Sequence, residues 1–351
     1  MTNPNTNEHP EQENRYSRQE RFAPLGKNGQ ERLKGSRVLI IGAGALGTGI
    51  AETLARAGIG HITIADRDYV EWSNLQRQQL YAEKDALERM PKAIAAVKRL
   101  KEINSTVDIV GKVMDVRTDE LEELIADVDL VMDATDNFDT RLLINDMCQK
   151  HRKPWIYGGC VGSYGITYTF MPGETPCLNC LLGEVPLGGD TCDTSGIIPQ
   201  AVQMVTANQT AEAMKLLSGN HGALRRKLLS FDLWRNEYIT INVDGAKKPD
   251  CPSCSASASF PYLSASNLEK TDVLCGRDTV QIRPSRPLKL DLQQTAERLG
   301  KLGEGVVEHN PFLVSFSLGE HRMVIFQDGR ILVHGTKDTA EARTLVHRYF
   351  G

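Results

Sequence analysis

The run "RVLIIGAGALG", residues 37–47, decides the fold. "RVLIIG" is a short apolar run of the kind that forms a strand buried on both faces. "GAGALG", Gly42 to Gly47, has the spacing G-x-G-x-x-G and opens the helical pattern "LGTGIAETLARAG", which ends in Gly58. In a strand–turn–helix the first glycine makes the tight turn. The second lets backbone amides approach a phosphate, the third lets helix pack on strand, and the helix N-terminus favours the anion. The spacing suits a dinucleotide, and it also suits any other phosphate ester.

The chain continues in alternation. "HITIAD" reads as a strand, "PKAIAAVKRLKEIN" as a helix, "DIVGKVMDV" as a strand, "TDELEELIADV" as a helix and "DLVMDAT" as a strand. A helix over 140–151 leads to "PWIYGGCVG" and "YGITYTFMP", two strands so close that an antiparallel edge is expected. The fold class predicted is α/β: a Rossmann-like, mostly parallel sheet with helices on both faces. "LGEVPLGGDTCDTSGIIP" is long and aperiodic, which marks function or disorder. "AVQMVTANQTAEAMKLLSG" is a strong helix, and "LLSFDLWRNEYITINV" contains strands. The small-residue run "SASASFPYLSASNLE" is the best boundary, and the D-G turn in "FQDGRI" predicts a hairpin beyond it. The expected organisation is a leader at 1–14, a main domain at 15–255, a linker at 256–271 and a small α+β domain at 272–351.

Bulk properties exclude several classes. The 351 residues are 40% hydrophobic and 25% charged, with a net charge of −4, so nothing favours a nucleic-acid partner. No apolar run approaches the roughly 20 residues of a membrane span. The first 14 residues are polar and lack an apolar signal core, so a disordered leader and a cytoplasmic location are expected. The eight cysteines are then thiols or metal ligands rather than disulfides.

Asp66 ends the second strand, 19 residues after Gly47, where a carboxylate can accept hydrogen bonds from ribose hydroxyls. To this point an NAD-dependent dehydrogenase is favoured. Three segments turn the reading. "SNLQRQQLY" brings Asn74, Gln76 and Arg77 to a polar loop at the carboxyl edge of the sheet. "MPK" sets Lys92 in the first turn of a helix, against the helix dipole. It is either a surface lysine or the partner of a polyphosphate. "DATDNFDTR" sets Asp133 and Asp136 at a strand end, where Mg²⁺ is the natural partner beside a triphosphate and a helix N-cap at Asp136 or Asn137 is the plainer role. Attack at phosphorus needs several cations, because charge builds on its oxygens.

Two C-x-x-C pairs, Cys177/Cys180 and Cys251/Cys254, stand 70 residues apart. Together they can complete a four-thiolate, structural Zn²⁺ site that clips distant segments; a redox pair or free thiols is the alternative. Cys192 lies alone in the long loop and is a candidate nucleophile, although Asp190 and Asp193 beside it would raise its pKa. Cys148 and Cys160 read as core, and Cys275 as a strand start.

In order, "RYSRQ", "GAGALG", "ADRDYV", "SNLQRQ", "MPK", "DATDN", "CLNC", "TCDTSG" and "CPSC" resemble the ThiF/MoeB type of E1-like adenylyltransferase, from about Arg15 to Cys254. The resemblance implies a reaction. The C-terminal Gly-Gly of a ubiquitin-like sulfur carrier protein, of the ThiS or MoaD kind, attacks the α-phosphate of ATP. An acyl-adenylate forms, pyrophosphate leaves, and a sulfur-donor protein later supplies the thiocarboxylate for thiamin or molybdopterin biosynthesis. It implies that Gly42, Gly44, Gly47, Asp66 and Asp68 hold the nucleotide, with Asp66 on the ribose. Asn74, Arg77 and Lys92 would contact phosphates, and Asp136 would serve Mg²⁺. Arg18 would reach the phosphates of a neighbouring subunit, which implies a homodimer. Cys192 aligns with a loop cysteine that links covalently to the carrier in some members. Residues from about Asp272 resemble a small C-terminal extension, for which carrier docking or dimer support is the expected role. A cyclising tRNA-modification enzyme of the same superfamily and a non-enzymatic scaffold are the remaining alternatives.

Overall fold

The computed structural model describes residues 15–182, 195–264, 271–273, 278–284 and 288–350. Two short N-terminal helices, α1 (Ser17–Glu20) and α2 (Gly26–Gly35), precede β1 (Arg37–Ile41). Then come α3 (Ala45–Ala57), β2 (His61–Asp66), α4 (Glu83–Leu87), α5 (Lys92–Ile103) and β3 (Asp108–Val113). They are followed by α6 (Thr118–Ile125), β4 (Leu130–Asp133), α7 (Phe138–Lys150), β5 (Trp155–Val161) and β6 (Tyr164–Phe170). After a long helix, Pro199–Leu217, come β7 (Leu228–Asp232) and β8 (Glu237–Ile241).

These strands form one eight-stranded sheet in the order β3-β2-β1-β4-β5-β6-β7-β8. Strands β1 to β5 pair in parallel, and β5 to β8 pair antiparallel, so the expected antiparallel edge is three strands deep. The alternation of β1 divides the core. Val38 and Ile40 enter the apolar layer that includes Ile50 and Leu54 of α3 and Leu100 of α5. Leu39 and Ile41 enter the opposite layer, with Leu121 of α6 and Ile144 and Met147 of α7. A strand covered on both faces reads as an unbroken apolar run. Chain order reverses between β1 and β4, which opens a crevice at their carboxyl ends.

A second sheet is wholly antiparallel. Its order is β11 (Val306–Asn310), β12 (Leu313–Leu318), β13 (His321–Phe326), β14 (Ile331–His334), β10 (Thr279–Ile282) and β9 (Thr271–Val273). The β13–β14 turn is the hairpin expected at "FQDGRI", closed by a bond from Phe326 N–H to the Arg330 carbonyl. One face packs Val314, Phe316, Met323 and Val333 against the helices Leu292–Gly300 and Thr339–Phe350. The other face does not stand apart. Leu313, Val324, Phe326 and Leu332 close over Val113 of β3 and over Tyr69, just past β2. The first part of the expected linker is anchored as well: Tyr262 N–H donates to Asp146, and the Leu263 carbonyl accepts from Thr118.

Candidate active site

The crevice beside β1 is built on the glycine loop. Gly42 has φ 99°, and a Cβ there would lie 2.5 Å from the Ala134 carbonyl oxygen. A Cβ on Gly47 would lie 1.9 Å from the Gly42 carbonyl oxygen, so helix α3 sits directly on the turn. At Gly44 the nearest atom is 4.0 Å away, the Gln78 side-chain nitrogen, so that side of the loop faces open space. Gly44 also caps α3 without a side-chain acceptor, which leaves the first-turn amides for an anion.

Asp66 reaches back to this loop. One carboxylate oxygen accepts from Ala43 N–H at 2.6 Å and the other from Asp68 N–H at 2.6 Å. A carboxylate has further lone pairs, so these two bonds leave acceptor capacity for a ribose. Burial pushes the Asp66 carboxyl above its ordinary value, with Lys92 and the two amides pulling against that rise.

Lys92 is not a surface lysine. Its side chain is 4% exposed, and its Nζ lies 3.1 Å from Asp68 Oδ2. That carboxylate answers the conflict with the helix dipole which the sequence raised. Tyr81, buried, sets its hydroxyl 2.6 Å from the Ala43 carbonyl and 3.2 Å from that of Lys92, joining loop to helix. Sequence reasoning gave Tyr81 no role, although it closes the "SNLQRQQLY" stretch.

Asn74 is fully buried, and its Oδ1 accepts from Glu71 N–H while its Nδ2 has no partner among the described residues. Arg77 is half-buried and donates to the Ser73 carbonyl at 2.9 Å.

The two acids of "DATDN" separate. Asp133 is fully buried, and Arg141 at 3.0 Å supplies the counter-charge that a buried carboxylate needs. Arg141 also donates to the carbonyls of Thr135 and Gly158. Burial opposes the charge on Arg141, but Asp133, Tyr157 and Asp136 together outweigh it, so the guanidinium titrates above its ordinary value. The cap of α7 is Asn137, which accepts from Thr140 N–H. That leaves Asp136 exposed at the crevice, within electrostatic reach of Arg141 and Arg67.

Arg18 stands elsewhere. It is exposed on α1, beside Gln19, whose side chain donates to the Ala57 carbonyl at the far end of α3. A 13-residue helix is roughly 20 Å long, so Arg18 does not reach the glycine loop of its own chain. Cys192 and Cys275 lie outside the described residues. Cys148 is fully buried, and Cys160 is partly so.

The cysteine pairs converge. The four sulfurs of Cys177, Cys180, Cys251 and Cys254 lie within 4.8 Å of one another. Cys177 and Cys251 are 3.6 Å apart, Cys180 and Cys254 are 3.5 Å, and Cys177 and Cys180 are 3.8 Å. A tetrahedral Zn²⁺ with sulfur at about 2.3 Å sets its ligands roughly 3.8 Å apart, so the cluster fits that ion. Burial pushes the Cys254 thiol up to about 12 and Cys177 higher still. Leu178 N–H donates to the buried Asn145, and Asn179 donates to Ser253, which ties the two knuckles together.

The profile of the ThiF family matches residues 16–253. The chain is 53% identical over 337 residues to the sulfur carrier protein ThiS adenylyltransferase of Bacillus subtilis (strain 168), covering 96% of this chain and 99% of that protein. It is 36% identical over 242 residues to the SAMP-activating enzyme E1 of Haloferax volcanii, covering 68% of this chain and 88% of that one. Among solved structures it resembles E. coli MccB with MccA-N7isoASN, at a TM-score of 0.61 and 23% identity. That likeness covers 69% of this chain and 75% of MccB, and it shows a shared fold.

Proposed function

The chain belongs to the ThiF family, and on that premise we propose that it adenylylates the C-terminal glycine of a ubiquitin-like sulfur carrier protein with ATP. The observation that carries the reading is the joining of an open glycine loop to a buried Lys92–Asp68 pair and an exposed Asp136 at one sheet crevice.

In this reading the amides after Gly44 and the Lys92 ammonium hold phosphate oxygens, and Asp66 accepts from the ribose. Arg77 and the free Nδ2 of Asn74 supply further donors. The carrier carboxylate attacks the α-phosphorus, the bond to the β-phosphate oxygen breaks, and pyrophosphate leaves. Donors fixed before the reaction stabilise the charge that develops on the α-phosphoryl oxygens. Asp136 is the residue that would hold Mg²⁺, which when bound neutralises phosphate charge.

Zn²⁺ at the four cysteines is assigned a structural role, because all four positions are filled by protein. A homodimer would let Arg18, stranded on its own chain, serve the neighbouring site. The cytoplasm is the proposed location; among the described residues no helix is long and apolar enough to cross a membrane. The exposed edge strand β8, with Tyr238 and Ile239 exposed on it and Trp234 exposed in the turn before it, offers a face for a protein substrate.

The test is ATP–pyrophosphate exchange with a carrier ending in Gly-Gly. Exchange that requires both carrier and Mg²⁺ supports the reading, and exchange that ignores the carrier counts against it.

A further inference from the structure

Four residues at the end of β2, Asp66 to Tyr69, face two ways. Asp66 and Asp68 point to the glycine loop and to Lys92. Arg67 and Tyr69, the alternate positions, point to the second sheet. Arg67 donates to Asp115 at 3.2 Å, and the other oxygen of Asp115 accepts from Arg283 and, at 3.4 Å, from Gln281, both of β10 or its end. Tyr69 is 3% exposed. Its hydroxyl accepts from Arg322 of β13 at 2.8 Å and meets His334 of β14 at 2.9 Å.

The neighbouring segment is held in the same way. Tyr69 bridges Pro91, Lys92 N–H donates to the Asp68 carbonyl, and Val70 N–H donates to that of Met90. Just before it, Arg89 pairs with Glu308, and the Glu88 carbonyl accepts from Asn310. So both strands of chain that carry Asp66, Asp68 and Lys92 are gripped from behind by the second sheet.

We infer that the second domain is a brace for the nucleotide half of the site, with Arg283 and Arg322 acting as positioning residues through Asp115–Arg67 and Tyr69. The inference rests on the reading of the crevice as an ATP site. It is a role separate from the carrier docking or dimer support expected of this domain from the sequence. A ligand binds more tightly to groups already held in place than to groups it must order, and the second sheet holds this segment in place from behind.

The test uses the full-length protein with Arg283→Gln, Arg322→Gln and Arg283→Lys, and Glu304→Gln as a control. Glu304 accepts from Tyr349 within the second domain and touches no part of the brace. ATP affinity is measured by calorimetry without carrier, and KM for ATP, KM for carrier and kcat by exchange. The brace predicts that Arg283→Gln and Arg322→Gln weaken ATP binding about five-fold or more. It predicts that KM for ATP rises in step, while carrier KM and kcat stay within two-fold. Arg283→Lys should recover part of the loss, and Glu304→Gln should bind ATP like the parent.

A rise in carrier KM with ATP affinity unchanged would overturn the inference, as would an equal loss in Glu304→Gln. If the parent binds ATP but exchanges with no carrier, the carrier reading fails, and the affinity ratios still decide the brace. A parent that binds no ATP would overturn both.

Discussion

Lys92 Nζ lies 3.1 Å from Asp68 Oδ2, a pair drawn together from positions 24 apart and almost closed to solvent. The ammonium also lowers the carboxyl of Asp66 against the pull of burial and of Asp68. Two acids and one base therefore share one enclosed site. Lys92→Met removes the ammonium that faces Asp68 and leaves the carboxylates of Asp66 and Asp68 without that shared cation. We expect exchange to fall about 100-fold or more. Urea unfolding should show a loss of about 3 kcal/mol, the usual cost of breaking a buried ion pair. An unchanged KM for ATP would contradict the role given to Lys92.

Asp133 and Asp136 should respond in opposite ways. Asp133→Asn strips Arg141 of its buried counter-charge and should cost about 3 kcal/mol of stability. Asp136→Asn alters an exposed residue and should move stability by no more than about 0.5 kcal/mol. It should instead lower exchange and raise the Mg²⁺ concentration needed for half-maximal rate. The reverse pattern in unfolding and Mg²⁺ titrations would mean that the two roles are misassigned.

The glycine loop and the parallel sheet were legible because each depends on local pattern: an apolar run, a glycine spacing and a helical period. The cysteine cluster was legible because C-x-x-C is itself a chelate spacing. Lys92 was ambiguous because its partner lies across a loop, at Asp68. The Asp133–Arg141 pair was missed although both residues stand in "DATDNFDTR"; an arginine eight positions after the acid, across a strand–helix turn, was the available signal. The docking of the second sheet was not legible. Tyr69 and His334 are 265 positions apart, and Asp115 and Arg283 are 168 apart, so no periodicity joins them.

Metal analysis should find one zinc per chain. Cys251→Ser should abolish it and lower the melting temperature, because metal binding by residues from distant segments is folding free energy. Full retention of zinc in Cys251→Ser would contradict the four-sulfur site.

Acid should loosen the contact between the sheets. Burial would raise the Asp115 carboxyl, but Arg67, Arg283 and Arg330 outweigh it and hold the group below its ordinary 3.8. Its stabilisation is thus complete above the unfolded value and is lost as pH falls through the lower folded one. Asp115→Asn should be less stable than the parent near neutrality. The gap between the two melting curves should close as pH falls below about 3.8. A gap that stays constant with pH would show that the charge of Asp115 is not what stabilises the contact.

Adenylyl transfer to a carrier carboxylate requires the carrier's terminal glycine. Exchange of labelled pyrophosphate into ATP, with a ThiS- or MoaD-like carrier and with the same carrier lacking its final glycine, tests it most directly. Exchange is expected with the intact carrier, and none with the shortened one or with Arg77→Ala. Equal exchange with both carriers, or none with any carrier by a protein that binds ATP, would contradict it.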